Sequence, residues 1–324
     1  MLSSSGMAPG GPTHDRQIGK TMRIAVFGGA GFLGSHVADV LSEAGHSVVI
    51  FDRARSPWLR PDQEMIEGDI LDAASVADAV KGCEVVYNFA GIADISVCNA
   101  QIVESAHINI IGNLNVCEAC VAHKVRRYVF ASTMYVYSRA GGAYRCSKQA
   151  CEAYIELYQS KKGLEYTVLR YGSLYGPRTD SGNGIHRFVQ EAVTQSRIVY
   201  SGSADALREH IHVLDAAHAS LEILDAKFAN QHVILAGSQT MRMADLFRMI
   251  SEILGKDVKK VFLNTGASGH YETTPYSYAP KIGIKYALSR HVDLGQGLLM
   301  KIEEIYHSLP DAGAPQKDHR GEKS

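Results

Sequence analysis

The sequence predicts an α/β protein, a doubly wound parallel sheet carrying a smaller, interleaved C-terminal subdomain. From Met22 to Tyr171, short apolar runs alternate with stretches whose apolar residues recur at helical spacing, the pattern of strands and helices wound on both sides of a sheet. The first run opens into the glycine-rich GGAGFLG (28–34). After Gly172 the pattern loosens into loops, yet no internal repeat and no Pro/Gly-rich linker marks off two independent domains. We therefore expect a main sheet domain over 22–172 and a subdomain over 173–309 that returns part of its chain to the sheet.

Each element has a local reason. Residues 22–27 (MRIAVF) read as a strand, and SHVADVLSEAG (35–45) as a helix entered through Gly28, Gly31 and Gly34. The runs SVVIFD (47–52), EMIEGDI (64–70), CEVVYNFAG (83–91), RRYVFAST (126–133) and YTVLRYG (166–172) read as further strands. Long helices fit 99–123 and 145–161. Beyond the loops SLYGPRTDSGNG (173–184) and SGSADALRE (201–209), the spacing predicts a strand at 232–238, a helix over 243–254 closed by Gly255, and a final amphipathic helix over 292–309. The polar ends, 1–21 and 310–324, are expected to be flexible tails.

Composition excludes several functions. With 33 basic and 34 acidic residues interspersed, the net charge of −1 offers no electrostatic case for nucleic acid or acidic membranes. No apolar run approaches the roughly 18 residues that span a bilayer, and the first 21 residues hold no apolar core of a secretory signal. A reducing cytoplasm and free thiols are the expectation for the six cysteines. Cys117 and Cys120 form a CxxC, but inside a helical pattern and without a second pair at zinc spacing, so no metal is expected.

The chemistry-bearing residues come in a telling order. A strand, a glycine turn and a helix present free backbone N–H groups and the positive end of a helix dipole, which suits a diphosphate. Asp52 ends the next strand, 21 residues after Gly31, where an acid accepts hydrogen bonds from an adenosine ribose. A carboxylate there repels a 2′-phosphate, so NAD is expected over NADP, with Arg53 and Arg55 close enough to soften that preference. Far downstream, Tyr144 and Lys148 lie one helical turn apart in YRCSK. Taking a hydride from a secondary alcohol requires a base at its hydroxyl. A lysine one turn from a tyrosine supplies positive charge that favours the phenolate, and Lys148 can also hold the nicotinamide ribose. Thr133, at the end of the fifth strand, can hydrogen-bond the same substrate oxygen.

As a set, GGAGFLG, Asp52, EGDI (67–70), NFAG (88–91), Asn109, ASTMYVY (131–137), YRCSK and LRYGSLYGP (169–177) resemble the extended short-chain dehydrogenase/reductase family and, within it, the nucleotide-sugar epimerases and dehydratases. The resemblance runs from about 22 to about 305 and implies a Rossmann sheet holding NAD, with the C-terminal subdomain binding substrate. It implies a cofactor site of Gly28, Gly31, Phe32, Leu33, Gly34, Asp52, Asp69, Ile70, Phe89, Ala90, Gly91, Asn109, Tyr144, Lys148 and Tyr171. Thr133, Tyr144 and Lys148 become the catalytic set, and Arg208 matches an arginine that contacts the nucleotide diphosphate. Ser173 stands where relatives carry asparagine, and Ala93 where galactose epimerases carry lysine. His270 and Tyr271, with Glu272 and Tyr276, are candidates to touch sugar or base. A homodimer through the 99–123 and 145–161 helices is also implied.

Departures from the family narrow the reaction. Where sugar 4,6-dehydratases place two acids after this threonine, the chain has Met134 and Tyr135. The elimination loses its usual machinery, and a decarboxylase of the UDP-glucuronate type is weakened likewise. A C4 epimerase needs only a base, a hydride acceptor and room for the keto intermediate to turn over. A 4-ketoreductase or unusual dehydratase could use the same three residues, and a non-catalytic NAD-binding scaffold is the alternative from another class. Only 11 positions separate Thr133 from Tyr144, which trims a loop beside the expected site.

Overall fold

A computed structural model of the chain describes residues 20–263 and 284–309. The expected tails therefore lie outside the described residues, apart from Lys20 and Thr21, as do His270, Tyr271, Glu272 and Tyr276.

The first half builds the sheet. Strands β1 (Arg23–Phe27), β2 (Ser47–Asp52), β3 (Gln63–Glu67), β4 (Val85–Asn88), β5 (Arg127–Thr133) and β6 (Tyr166–Tyr171) alternate with helices α1 (Phe32–Glu43) and α2 (Ala73–Val80), a helical segment over 95–122, and α6 (Gly142–Lys162). That segment comprises α3 (Ile95–Ala100), α4 (Ile102–Ala106), a π-turn at His107–Ile111 and α5 (Gly112–Ala122). The continuous helix expected over 99–123 is thus replaced by shorter pieces. Gln101 leaves helical geometry at φ −127°, ψ 60°, and the π-turn aims Asn109 off the regular helical face.

The second half holds β7 (Ser173–Tyr175), α7 (Gly184–Gln195), β8 (Arg197–Ser201), β9 (Leu207–His212), α8 (Val213–Glu222), β10 (Gln231–Leu235), β11 (Thr240–Arg242), α9 (Met243–Ile253), β12 (Lys259–Leu263), β13 (Ile284–Lys285) and α10 (Leu294–Ser308). Sheet order is β13-β10-β6-β5-β4-β1-β2-β3, and every pairing within it is parallel. The doubly wound parallel sheet is therefore as the sequence predicts. β10 and the two-residue β13 return to the main sheet, while β7, β9 and β11 form a small second sheet and β8 pairs with β12.

Both faces of the main sheet are buried. Val37, Leu41, Ala216 and Ala219 of α1 and α8 cover one, against Ile24, Val26 and Leu169. Val76, Val116, Cys120 and Ile155 of α2, α5 and α6 cover the other, against Ala25, Phe27 and Val168. A separate core of Phe188, Tyr200, Leu246, Phe247 and Leu298 unites α7, α9 and α10. Order reverses between β1 and β4, so their carboxyl ends diverge and open a crevice there.

Candidate active site

The crevice is a cleft of about 180 Å³. Gly28, Gly31, Asp52, Asp69, Ile70, Phe89, Ala90 and Gly91 line it, joined by Arg53, Gly68, Ile92 and Ile108. Gly28 turns with φ +75°, and a Cβ there would sit 2.6 Å from the backbone N of Ala90. At Gly34 a Cβ would lie 2.2 Å from the Gly28 carbonyl oxygen, so only glycine lets α1 start this close to β1. No side chain caps α1 and no acidic residue stands in its first turn, which leaves its positive end open to an anion. One Asp52 oxygen accepts the Ala30 N–H at 3.0 Å, fixing the carboxylate to the glycine turn. Asp69 likewise accepts the Leu71 N–H at 2.9 Å. These features, a bare cradle, an open helix end and a fixed carboxylate, fit a dinucleotide.

The second group stands at the end of β5 and the start of α6. The Thr133 hydroxyl accepts the Tyr135 N–H at 3.2 Å. Burial pushes the Tyr144 phenol up to about 12, and the Thr133 side chain pulls against that rise. Lys148 is buried, its ammonium donating to the Ala131 carbonyl at 2.8 Å with Nζ 5.8 Å from the centre of the Tyr144 ring. Desolvation holds the Lys148 ammonium below its ordinary value. The helical spacing of Tyr144 and Lys148 thus becomes a real juxtaposition.

Other expected residues take different places. Asn109 donates to the Ile92 carbonyl (2.9 Å) and to Ser147 Oγ (3.1 Å) while accepting the Ile92 N–H (2.7 Å), so its amide ties the loop after β4 to α6. Gly91, at φ +146°, lies so close that a Cβ would stand 2.7 Å from Asn109 Oδ1. The hydroxyl of Tyr171 is 2.8 Å from Ser220 Oγ of α8, in the core on the α1 face. Phe32 and Leu33 form the first turn of α1. Ser173 begins β7 opposite His210 of β9, and Arg208 is buried nearby on β9 with Nη1 on the Leu207 carbonyl and Nη2 3.4 Å from the Tyr200 hydroxyl. Cys117 and Cys120 pack inside α5, burial raising both thiols far above their ordinary value.

A buried network behind Thr133 went unread in the sequence. Glu152 of α6 receives Arg170 Nε at 3.0 Å and Nη2 at 2.7 Å, and Ser132 Oγ at 2.5 Å. Arg170 also reaches the Tyr137 hydroxyl and His232 Nδ1, the latter at 2.8 Å. Its signal was available: an arginine inside the apolar run YTVLRY, and a glutamate one turn beyond Lys148.

An open glycine cradle with a fixed carboxylate, together with the group Thr133, Tyr144 and Lys148, fits an NAD-dependent enzyme of the Rossmann class. The sequence profile of the NAD dependent epimerase/dehydratase family matches residues 24–237, and the chain belongs to that family, with NAD as its cofactor. A putative UDP-glucose 4-epimerase of Methanocaldococcus jannaschii is 30% identical over 256 residues, covering 72% of this chain and 82% of that protein. A UDP-N-acetyl-alpha-D-glucosaminuronate decarboxylase of Bacillus cytotoxicus is also 30% identical, over 67% of this chain and 75% of its own length. Among solved structures, the UDP-glucose 4-epimerase of Thermotoga maritima with UDP-glucose superposes with a TM-score of 0.79 at 26% identity, covering 89% of this chain and all of that one (100%). Among the described residues, no helix is long and apolar enough to cross a membrane.

Proposed function

We propose that the protein is a nucleotide-sugar 4-epimerase that works through a 4-keto intermediate, with Tyr144 as base, Thr133 orienting the reacting oxygen and Lys148 tuning the base. The observation that carries this reading is what stands around Thr133 and Tyr144. Met134 is fully buried in a small apolar cluster with Val136 and Ile234, and Tyr135 presents its ring edge-on to Tyr144 at 6.3 Å. Neither residue brings the carboxylate that an elimination of water would use.

Bound NAD supplies a hydride acceptor and, when oxidised, a positive charge that favours the phenolate. The rest falls to the protein. Burial raises the Tyr144 phenol to about 12, so a nearby positive charge is what favours its phenolate. Thr133 shares the C4 oxygen, and Tyr144 takes the C4 hydroxyl proton and later returns one. Gly28, Gly31, the α1 N-terminus, Asp52, Asp69 and Ile70 hold the dinucleotide, and Ser173 and Arg208 face the nucleotide sugar. The names of the relatives make uridine diphosphate sugars the first substrates to test.

The same reading includes a cytoplasmic homodimer. Ile102, Val103 and Ile111 stand exposed beside Tyr154 and Leu157 of α6, and the 2.6 Å Tyr158–Glu118 bond locks α5 to α6 behind them. A second copy would cover this apolar face, and a monomer at micromolar protein in sedimentation would refute that pairing.

Proton NMR of the purified protein with UDP-, GDP- and dTDP-sugars and no added nicotinamide tests the activity. The C4 epimer should appear, and Tyr144→Phe should slow its formation at least hundredfold. Unsaturated or deoxy products would instead establish a dehydratase. Turnover only of a keto sugar with NADH would establish a reductase.

A further inference from the structure

We propose that Asn99 is a positioning residue for the catalytic tyrosine: from a neighbouring helix, its side-chain oxygen caps α6 and sets Tyr144 against Thr133. This role rests on the reading of Tyr144 as the base.

Helix α6 cannot cap itself. Its N-cap is Gly141, at φ +91°, and no side chain of that residue is there to accept an N–H. Gly142 follows at φ +47°, so the chain enters the helix through two consecutive left-handed residues. That is how the short path from Thr133 to Tyr144 closes. It also leaves the first N–H groups of a 21-residue helix without local acceptors. Asn99 Oδ1 accepts the Ala143 N–H at 2.9 Å, at the residue immediately before Tyr144.

The surroundings are shaped for that contact. A Cβ on Gly142 would stand 2.0 Å from Asn99 Oδ1, and one on Gly141 would stand 2.8 Å from the Tyr135 ring, which itself lies edge-on to Tyr144. Asn99 is held in turn. Asp94 caps α3 through the Val97 N–H at 2.9 Å, and Cys98 donates to the Ile92 carbonyl at 3.4 Å. Ile92 is the residue gripped by Asn109, whose amide also donates to Ser147 of α6. The loop beside the cofactor cleft therefore holds α6 at two heights, one turn apart, through Asn109–Ser147 and Asn99–Ala143.

The test uses full-length, NAD-loaded protein labelled with ¹³Cζ-tyrosine, the Tyr144 resonance among the 16 tyrosines being assigned with Tyr144→Phe. Asn99→Ala should move that resonance in the same direction as Thr133→Val does, because both disturb the placement of the Tyr144 phenol beside the Thr133 side chain. Asn99→Asp keeps an acceptor oxygen and should leave it in place. On a nucleotide sugar that turns over, Asn99→Ala should lower kcat roughly five- to tenfold with KM within about twofold, and Asn99→Asp should restore kcat. A Tyr144 resonance unmoved in folded Asn99→Ala, or equal loss in Ala and Asp variants, overturns the role. Should no nucleotide sugar react, the functional reading fails and the resonance alone decides the placement of Tyr144.

Discussion

Replacing Glu152 by glutamine should destabilise the protein far more than the loss of one hydrogen bond would. Glu152 and Arg170 have side chains 1% and 0% exposed and meet through two hydrogen bonds, of 2.7 and 3.0 Å. Desolvation works against the Arg170 charge, but Glu152 outweighs it and keeps the guanidinium charged. Glu152→Gln removes the counter-charge and leaves that guanidinium buried, which costs about 3–5 kcal/mol. At roughly 2 °C per kcal/mol for a chain of this size, the melting temperature should fall by about 6–10 °C. The double variant Glu152→Leu/Arg170→Met removes both charges. It leaves Ser132 Oγ, the Tyr137 hydroxyl and His232 Nδ1 without these two partners, at ~1 kcal/mol each, so it should be no less stable than the single variant. Urea unfolding of wild type, Glu152→Leu, Arg170→Met and the double gives the coupling energy. A single-variant loss below about 1 kcal/mol, or strict additivity, would refute the account of a buried, mutually dependent pair.

Three further outcomes are expected. Burial, with the nearby His36, holds His212 down to about 4, and burial with Arg208 does the same to His210. Because these folded-state values lie below the ordinary 6.5, their stabilisation is present above pH 6.5 and is lost as pH falls toward 4. His212, 1% exposed, should account for about 3 kcal/mol of that loss. His212→Asn keeps an acceptor for the Leu214 N–H and removes the titration, so its urea midpoint should drop less between pH 7 and pH 4.5 than that of wild type. In the cofactor cradle, Gly34→Ala drives a methyl into the Gly28 carbonyl and should cut NAD affinity at least tenfold by calorimetry; unchanged affinity would place the diphosphate elsewhere. Finally, Arg178 holds a left-handed φ of +64°, pairs with Asp39 at 2.8 Å and stacks at 4.8 Å on Trp58, the single tryptophan. Arg178→Gly and Arg178→Ala should both shift the tryptophan emission, with Ala about 1 kcal/mol less stable than Gly because only glycine takes that φ without strain.

Much of the fold was legible because it is written in local periodicity. Apolar runs of four to seven residues became β1, β2, β4, β5 and β6, since strands buried on both faces need continuous apolar side chains. Gly28 and Gly34 were legible for a steric reason, as no Cβ fits at either between strand end and helix start, and at Gly31 a Cβ would stand 3.2 Å from the Gly28 carbonyl oxygen. Asp52 followed from its distance along the chain, and Tyr144 and Lys148 from the pitch of a helix. The break of the 99–123 helix was not legible. Asn109, in the π-turn that follows the break at Gln101, bonds Ile92 and Ser147, residues far from it in sequence, and such contacts leave no local pattern.

By itself, then, the sequence determined the sheet, the glycine turn and the residues we propose as the reacting groups, because each depends on residues within one strand, turn or helix. Tertiary structure alone decided how those groups are tuned and held. The rise of the Tyr144 phenol, the burial of Lys148 and the capping of α6 by Asn99 arise from burial and from bonds across the chain. Asn99, 44 positions from the amide it caps, carries no local pattern, since a hydrogen bond depends on distance in space and leaves no periodicity in sequence.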